Sequence, residues 1–83
     1  MSIITTSDIM KFIGYTNYGD YMTLVFSKRN SEYYFNIDKG NYIFNNIDKL
    51  IPGNDYKITV DINDYNGYTL GREVDNSLKI AGI

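Results

Sequence analysis

The sequence is constrained most by short segments in which apolar and polar residues alternate. The clearest is YKITVDI at residues 56–62, where every second residue is tyrosine, isoleucine or valine. Residues 21–26 and 32–37 alternate in the same way. Because successive side chains of a β-strand point to opposite faces, each segment predicts a strand with one buried face. The polar segment SKRNS at 27–31 separates two of these strands and predicts an antiparallel hairpin.

The remainder of the first half is less regular. Residues 10–15 predict a further strand, in which Gly14 indicates a bend or bulge. The polar residues within 1–8 indicate either the cap of a short helical turn or a flexible lead-in. Residues 42–44 predict a short extended segment.

One short helix is predicted near residues 45–51, between the third and fourth strands. Asn45 or Asn46 is expected to cap it, and Pro52-Gly53 is expected to end it. One side of this helix carries the apolar residues Ile47, Leu50 and Ile51.

The last third of the chain predicts a second hairpin. Asn66-Gly67 suits a type I′ turn, in which both central residues have positive φ. Tyr65 and Tyr68 flank this turn as a cross-strand pair, and the return strand covers residues 69–74. Residues 78–83 end the sequence as a strand with an exposed edge, which indicates self-association or docking on a partner.

The 83 residues predict a single small domain, spanning 1–83, with one buried core. The residues expected to be buried together are Leu24, Phe26, Phe35, Ile58, Val60 and Ile62, with Tyr33 and Tyr56 in the same apolar register. No apolar run is long enough to cross a membrane, and the N-terminus lacks the features of a signal peptide. Together with the absence of cysteine, this predicts a cytoplasmic protein.

The residue inventory predicts no enzymatic activity. The chain has no histidine, the usual general base near neutral pH, and no cysteine nucleophile. Its serines therefore have no histidine partner for a catalytic triad. Residues 61–67 are similar to the start of a calcium-binding loop, but the terminal glutamate and the flanking helices are missing. We expect neither a metal nor a cofactor.

The order of predicted elements is three strands, a short helix, and two strands joined by a hairpin. KFIGYTNYGDYMTLVFS resembles the bent first strand, its loop and the second strand of an oligonucleotide/oligosaccharide-binding barrel, the OB-fold. SEYYFNID resembles the third strand, and NNIDKLIPGNDYKITVDI the helix and the fourth strand. The resemblance implies an all-β, five-stranded antiparallel barrel over residues 10–83. Small SH3-like barrels, or a mixed sheet with one helix, would have similar sequences.

The resemblance also implies a ligand site. OB-folds bind ligands on strands two and three, flanked by the loop between strands one and two and the loop between strands four and five. The first loop is expected to carry Tyr15, Tyr18 and Tyr21, the second Tyr65 and Tyr68, and the sheet between them Thr23 and Tyr34. The rings would stack on bases, and the basic residues placed to contact phosphates are Lys28, Arg29, Lys57 and Arg72. A structural role is equally open, because tyrosines often plug the ends of small barrels.

Two classes of function fit this sequence. The first is a non-catalytic module for single-stranded DNA or RNA, for instance a replication accessory of a phage or mobile element. The second is a small acidic protein-binding module, such as a phage-encoded inhibitor of a host enzyme or defence system, or a subunit of a larger complex. The net charge of −2 weakens the first, because cationic residues supply much of nucleic-acid affinity. A tyrosine-rich surface suits the second.

Overall fold

The computed structural model describes residues 5–61 and 77–83, which form one antiparallel sheet with a short helix. The strands are β1 (Thr5–Asn17), β2 (Tyr21–Lys28), β3 (Ser31–Asp38), β4 (Asp55–Asp61) and β5 (Lys79–Ile80). The helix α1 (Tyr42–Asn45) and a 3₁₀ turn, Ile47–Lys49, lie between β3 and β4. The predicted all-β class, with five antiparallel strands and one short helix, is confirmed.

The order across the sheet is β3-β2-β1-β4-β5. Among the described residues no ladder joins β3 to β5, so the predicted closure into a barrel is not confirmed. Only two residues of the closing strand predicted at 78–83 belong to β5. The predicted hairpin at Asn66-Gly67, with its return strand at 69–74, lies outside the described residues.

The first strand is long because it pairs with two neighbours. Residues 5–11 pair with β4 and residues 11–17 with β2. The register shifts between Phe12 and Gly14, as expected from the glycine. Residues 5–8 belong to the sheet, so the expectation of a helical turn or a flexible lead-in is wrong for them. Threonine favours extended backbone, and the hydroxyls of Ser7 and Thr59 are hydrogen-bonded across the two strands at 2.9 Å.

The core lies on one face of the sheet and includes side chains from α1 and the C-terminal segment. Its buried members are Met10, Phe12, Met22, Leu24, Phe26, Phe35, Ile37, Ile43, Leu50, Ile58, Val60, Leu78 and Ile80. Tyr33 and Tyr56 are partly buried and pack against it. The predicted core is therefore confirmed except at Ile62, which lies outside the described residues. The alternation of β2, β3 and β4 accounts for this agreement.

The helix begins earlier than the sequence predicts. Its N-cap is Asn41, whose side chain accepts a hydrogen bond from the Ile43 backbone N–H at 2.9 Å and donates another to the Leu78 carbonyl at 2.9 Å. Residues 42–44 are therefore helical rather than extended, and Asn45 lies inside α1. Asn46 is the N-cap position of the 3₁₀ turn, as predicted for one of the two asparagines, but its side chain makes no capping hydrogen bond there. Ile51 is exposed rather than packed along the helix. The polar Asn41 side chain is buried, and both of these hydrogen bonds stabilise it there.

The hairpin between β2 and β3 has a tighter turn than the polar segment suggests. Lys28 pairs with Ser31, which leaves Arg29 and Asn30 as a two-residue connection. Their φ angles are 53° and 70°, and positive φ at both positions is the signature of a type I′ turn. Asparagine is favoured in such a turn, whereas the left-handed conformation costs arginine about 1–2 kcal/mol.

Candidate functional site

The face of the sheet opposite the core carries the side chains that alternate with the buried residues. On β2 these are Tyr21, Thr23 and Val25, and on β3 they include Tyr34 and Asn36. We call this surface the outer face. Cross-strand pairing brings Thr23 beside Asn36 and Val25 beside Tyr34, because directly paired residues share one face. The two residues predicted to lie on the sheet between the loops, Thr23 and Tyr34, are on this face together.

The tyrosines of GYTNYGDY divide between strand and turn. Only residues 18–20 lie outside the strands. Tyr15 and Tyr21 therefore lie in strands, as the strands predicted over 10–15 and 21–26 imply, and the loop position that the OB-fold resemblance gave them is wrong. Gly19 has φ of 97°, and the Tyr18 backbone N–H donates to the Tyr21 carbonyl at 2.8 Å. The tight turn lets the chain reverse within three residues, and the flanking tyrosines can therefore continue the two strands.

Two of these three tyrosines form a stacked pair. The ring centroids of Tyr18 and Tyr21 are 4.8 Å apart, with the planes inclined by 18°. Tyr18 is 58% exposed. Tyr15 is also exposed, at 46%, but it pairs with the buried Leu24 and so lies on the core side of the sheet. The stacked pair therefore belongs to the outer face, whereas Tyr15 does not.

Tyr34 presents a further ring on β3, opposite Val25 of β2. Its side chain is 53% exposed, and its hydroxyl donates to Oε1 of Glu32 at 2.5 Å. The hydrogen bond to this carboxylate raises the pKa of Tyr34. Beside it, the Thr23 hydroxyl donates to Oδ1 of Asn36 at 2.6 Å. The hydrogen bond to Glu32 restrains the Tyr34 side chain, and more than half of that side chain stays exposed.

A basic groove lies at the end of β2 remote from the stacked tyrosines. Its volume is about 390 Å³, and its lining comprises Ile9, Lys11, Ser27, Lys28, Arg29, Asn30 and Asp55. The register accounts for this convergence, because Lys11 pairs with Ser27 on one side and with Asp55 on the other. The turn between β2 and β3 then adds Arg29 beside Lys11. We refer to this feature as the basic groove.

The cations of the basic groove differ in their partners. Lys28 forms an ion pair with Asp8 at the rim of the core face, with both side chains about 30% exposed. The hydrogen bond from Lys28 lowers the pKa of Asp8, and the charge of Arg29 contributes in the same direction. Within residues 5–61 and 77–83, neither Lys11 nor Arg29 forms an ion pair. Lys28 is therefore partly neutralised, whereas two other cations are free to meet an external anion.

The predicted site residues thus differ in where the structure places them. Tyr18, Tyr21, Thr23 and Tyr34 share the outer face, and Lys28 and Arg29 lie at the far end of β2. Lys57 pairs with Ile9, which places it on the outer face of β4 near the groove. Tyr65, Tyr68 and Arg72 lie outside the described residues. Tyr15 is separated from the others by the sheet itself.

Lys11 and Asn30 were not predicted as site residues. Lys11 lies in the strand predicted over 10–15, where alternation places it on the polar side. Which strands pair with it could not be predicted, and those strands determine its neighbours in the groove. Asn30 could not be predicted because the sequence did not indicate a two-residue turn at positions 29 and 30. Both residues line the basic groove.

The described residues contain no group of three side chains suited to holding a metal ion. None of the helices in residues 5–61 and 77–83 is long and apolar enough to cross a membrane. No family model, curated protein or solved structure matches this chain. The chemistry available on the outer face is aromatic stacking, hydrogen bonding and attraction of anions.

Proposed function

We propose that this protein is a non-catalytic cytoplasmic module that binds single-stranded nucleic acid along the outer face of β1, β2 and β3. The observation that carries the proposal is the alignment of exposed rings with cations on one surface. The Tyr18–Tyr21 stack and Tyr34 provide aromatic faces, and the basic groove lies beyond them at the other end of β2. Every base has a π-face, so such rings bind single strands without requiring a particular sequence.

The dimensions of the outer face suit a short oligonucleotide. β2 contains eight residues and is therefore about 25 Å long. OB-folds bind about 4–16 nucleotides, and the short helix between the third and fourth strands supports an OB-like fold for this chain. The net charge of −2 does not prevent binding, because the cations are concentrated at one end of the face.

A protein partner is the second candidate, and one observation favours it. Ile9 and Ile13 of β1 are exposed, Ile9 by 62%. Aliphatic side chains contribute little to base stacking, but they are suitable for an apolar contact with another protein. The two candidates predict different responses to salt and to oligonucleotides.

Titration of a fluorescent oligo-dT with the full chain tests the proposal. We expect affinity to fall steeply as salt is raised, because bound cations of the nucleic acid are released. Replacing Tyr18 and Tyr21 together by Ala should weaken binding by roughly 1–3 kcal/mol per lost stack, about 5–150-fold. Tyr15→Ala is the matched control: it removes an exposed ring of the same type from the other side of the sheet.

The proposal fails if the wild-type protein does not bind oligo-dT even at low salt. It also fails if the double variant and Tyr15→Ala weaken binding equally. Circular dichroism establishes that each variant is folded. If the double variant unfolds, Tyr34→Ala tests the same face with a side chain that is more than half exposed. Absence of oligonucleotide binding together with co-purification of one host protein would favour the second candidate.

A further inference from the structure

We propose that the basic groove is a phosphate-binding site, with Arg29 and Lys11 as its principal ligands. The inference rests on the proposed function, since the phosphate is taken to belong to the bound single strand. It goes further by locating a phosphate in the basic groove and by adding Lys11, which the sequence did not indicate, to its ligands.

The first support is the charge of the groove. Three basic side chains line it, against one carboxylate, that of Asp55. Asp8 already neutralises Lys28 in part, so most of the free positive charge comes from Lys11 and Arg29. A guanidinium presents several N–H donors in a planar fork that matches two phosphate oxygens, and an ammonium adds a further charge. Ser27 and Asn30 provide a hydroxyl and an amide on the same lining.

The second support is the backbone at Arg29. Its φ of 53° lies in the left-handed region, at a turn position that favours glycine, asparagine or aspartate. A smaller residue would fit this turn better, so the arginine is a local misfit. Misfits of this kind are concentrated where a side chain serves a purpose other than stability. Here the turn places a long cationic side chain in the lining of the groove.

The third support is the position of the groove relative to the rings. The stacked pair is at one end of β2, Tyr34 lies between, and the groove is at the other end. A strand whose bases stack on the rings must carry its phosphates past or into the groove. Asp55 lines the groove beside Lys11, and its negative charge disfavours an anion on that side. The favourable position for a phosphate is therefore nearer to Arg29.

The site is tested directly with inorganic phosphate and the ¹⁵N-labelled full chain. We expect saturable shifts of the backbone amide signals of Lys11, Arg29 and Asn30, and none from chloride at the same ionic strength. Arg29→Asn should weaken phosphate binding at least about tenfold, because it removes the fork. Arg29→Lys, which keeps the charge without the fork, should lie in between. The Tyr18 amide should not respond to phosphate.

Arg29→Asn also separates binding from stability. Asparagine suits the turn, so its melting temperature should be equal to or higher than that of the wild type. A purely structural arginine would give the opposite result, a less stable protein. Weaker phosphate binding in a variant of undiminished stability therefore supports the site, and a lower melting temperature with unchanged phosphate binding overturns it.

Oligonucleotides identify the source of the phosphate and keep this inference distinct from the proposed function. Tighter binding of 5′-phosphorylated oligo-dT than of the unphosphorylated form assigns the groove to a terminal phosphate; equal affinity, lost in Arg29→Asn, assigns it to a backbone phosphate. Phosphate shifts in the groove without any oligo-dT binding support the site and overturn the proposed function. The opposite outcome is also informative. If oligo-dT binding is lost on replacing Tyr18 and Tyr21 but is unchanged in the double variant Lys11→Gln, Arg29→Asn, the phosphate site is overturned and the proposed function is retained.

Discussion

The hydroxyl of Tyr42 satisfies the backbone of β5 at Ile80. It accepts a hydrogen bond from the Ile80 N–H at 3.0 Å and donates to the Ile80 carbonyl at 3.1 Å. Ile80 pairs with Ile58 of β4 on one side, and on its other side its backbone groups bond to the Tyr42 side chain. The Ile80 carbonyl also accepts a longer hydrogen bond, 3.5 Å, from the Ile83 N–H, so the Ile80 N–H depends more on the hydroxyl than the carbonyl does. Tyr42, the first residue of α1, thus occupies hydrogen-bonding groups of the strand that the sequence predicts to have an exposed edge. Tyr42→Phe removes both hydrogen bonds and leaves the ring.

The cost of Tyr42→Phe follows from these two contacts. A hydrogen bond contributes about 0.5–1.5 kcal/mol net, and a buried group left without a partner costs more. Tyr42 is partly exposed, so water can replace some of what is lost. We therefore expect a loss of about 1–2 kcal/mol in the free energy of unfolding. For a domain of this size that lowers the melting temperature by about 5–15 °C.

Thermal unfolding monitored by circular dichroism measures this effect, with Tyr15→Phe as the control. The Tyr15 hydroxyl makes no hydrogen bond within the described residues, so its removal should leave the melting temperature unchanged. Amide hydrogen exchange at Ile80 should become faster in Tyr42→Phe, and light scattering should detect association through the uncovered edge. If Tyr42→Phe has the same melting temperature as the Tyr15→Phe control and the exchange rate at Ile80 is unchanged, the Tyr42 hydroxyl does not stabilise β5.

Two further variants test the core and the ion pair. Phe35→Ala empties a site that is almost wholly buried against Phe26, and urea unfolding should record a loss of about 3–5 kcal/mol; a loss below 1 kcal/mol would mean that Phe35 is not core. Lys28→Gln should raise the pKa of Asp8 towards its ordinary value, and carboxyl NMR measures this change. Because the folded-state pKa of Asp8 is lowered, its contribution to stability is present above the unfolded pKa and is lost as pH falls through the folded value. An unchanged Asp8 pKa in Lys28→Gln would refute the pairing.

The local pattern was sufficient to predict β2, β3 and β4 and the face that each one buries. Met22, Leu24 and Phe26 are buried because alternation on a two-residue period is a property of the segment itself. The start of the helix depends on contacts that the segment does not contain. Asn41 caps α1 while it also binds the carbonyl of Leu78, a residue 37 positions further along the chain. A reading of residues 42–46 alone cannot detect such a partner.

The basic groove could not be predicted for a similar reason. Lys11 and Arg29 meet only because β1 changes partners at residue 11 and the register shifts between Phe12 and Gly14. A one-residue change of register would move Lys11 to the core face. The type I′ turn was equally hidden, since Arg29 is an unusual residue at its first central position. Site residues that depend on register therefore need the structure.

The hydroxyl groups divide the tyrosines by role. Tyr42 and Tyr56 use theirs to bond backbone groups of other elements, Tyr56 accepting from the Ile51 N–H at 2.8 Å, so their place in the fold is accounted for. The hydroxyls of Tyr18 and Tyr21 make no such bond within the described residues, and their rings contact each other. A stacked pair has already lost much of the rotamer freedom that binding would otherwise remove. Under the proposed function, a base that stacks on Tyr18 meets a platform that is already ordered, which is the role that we propose for the two rings at this turn.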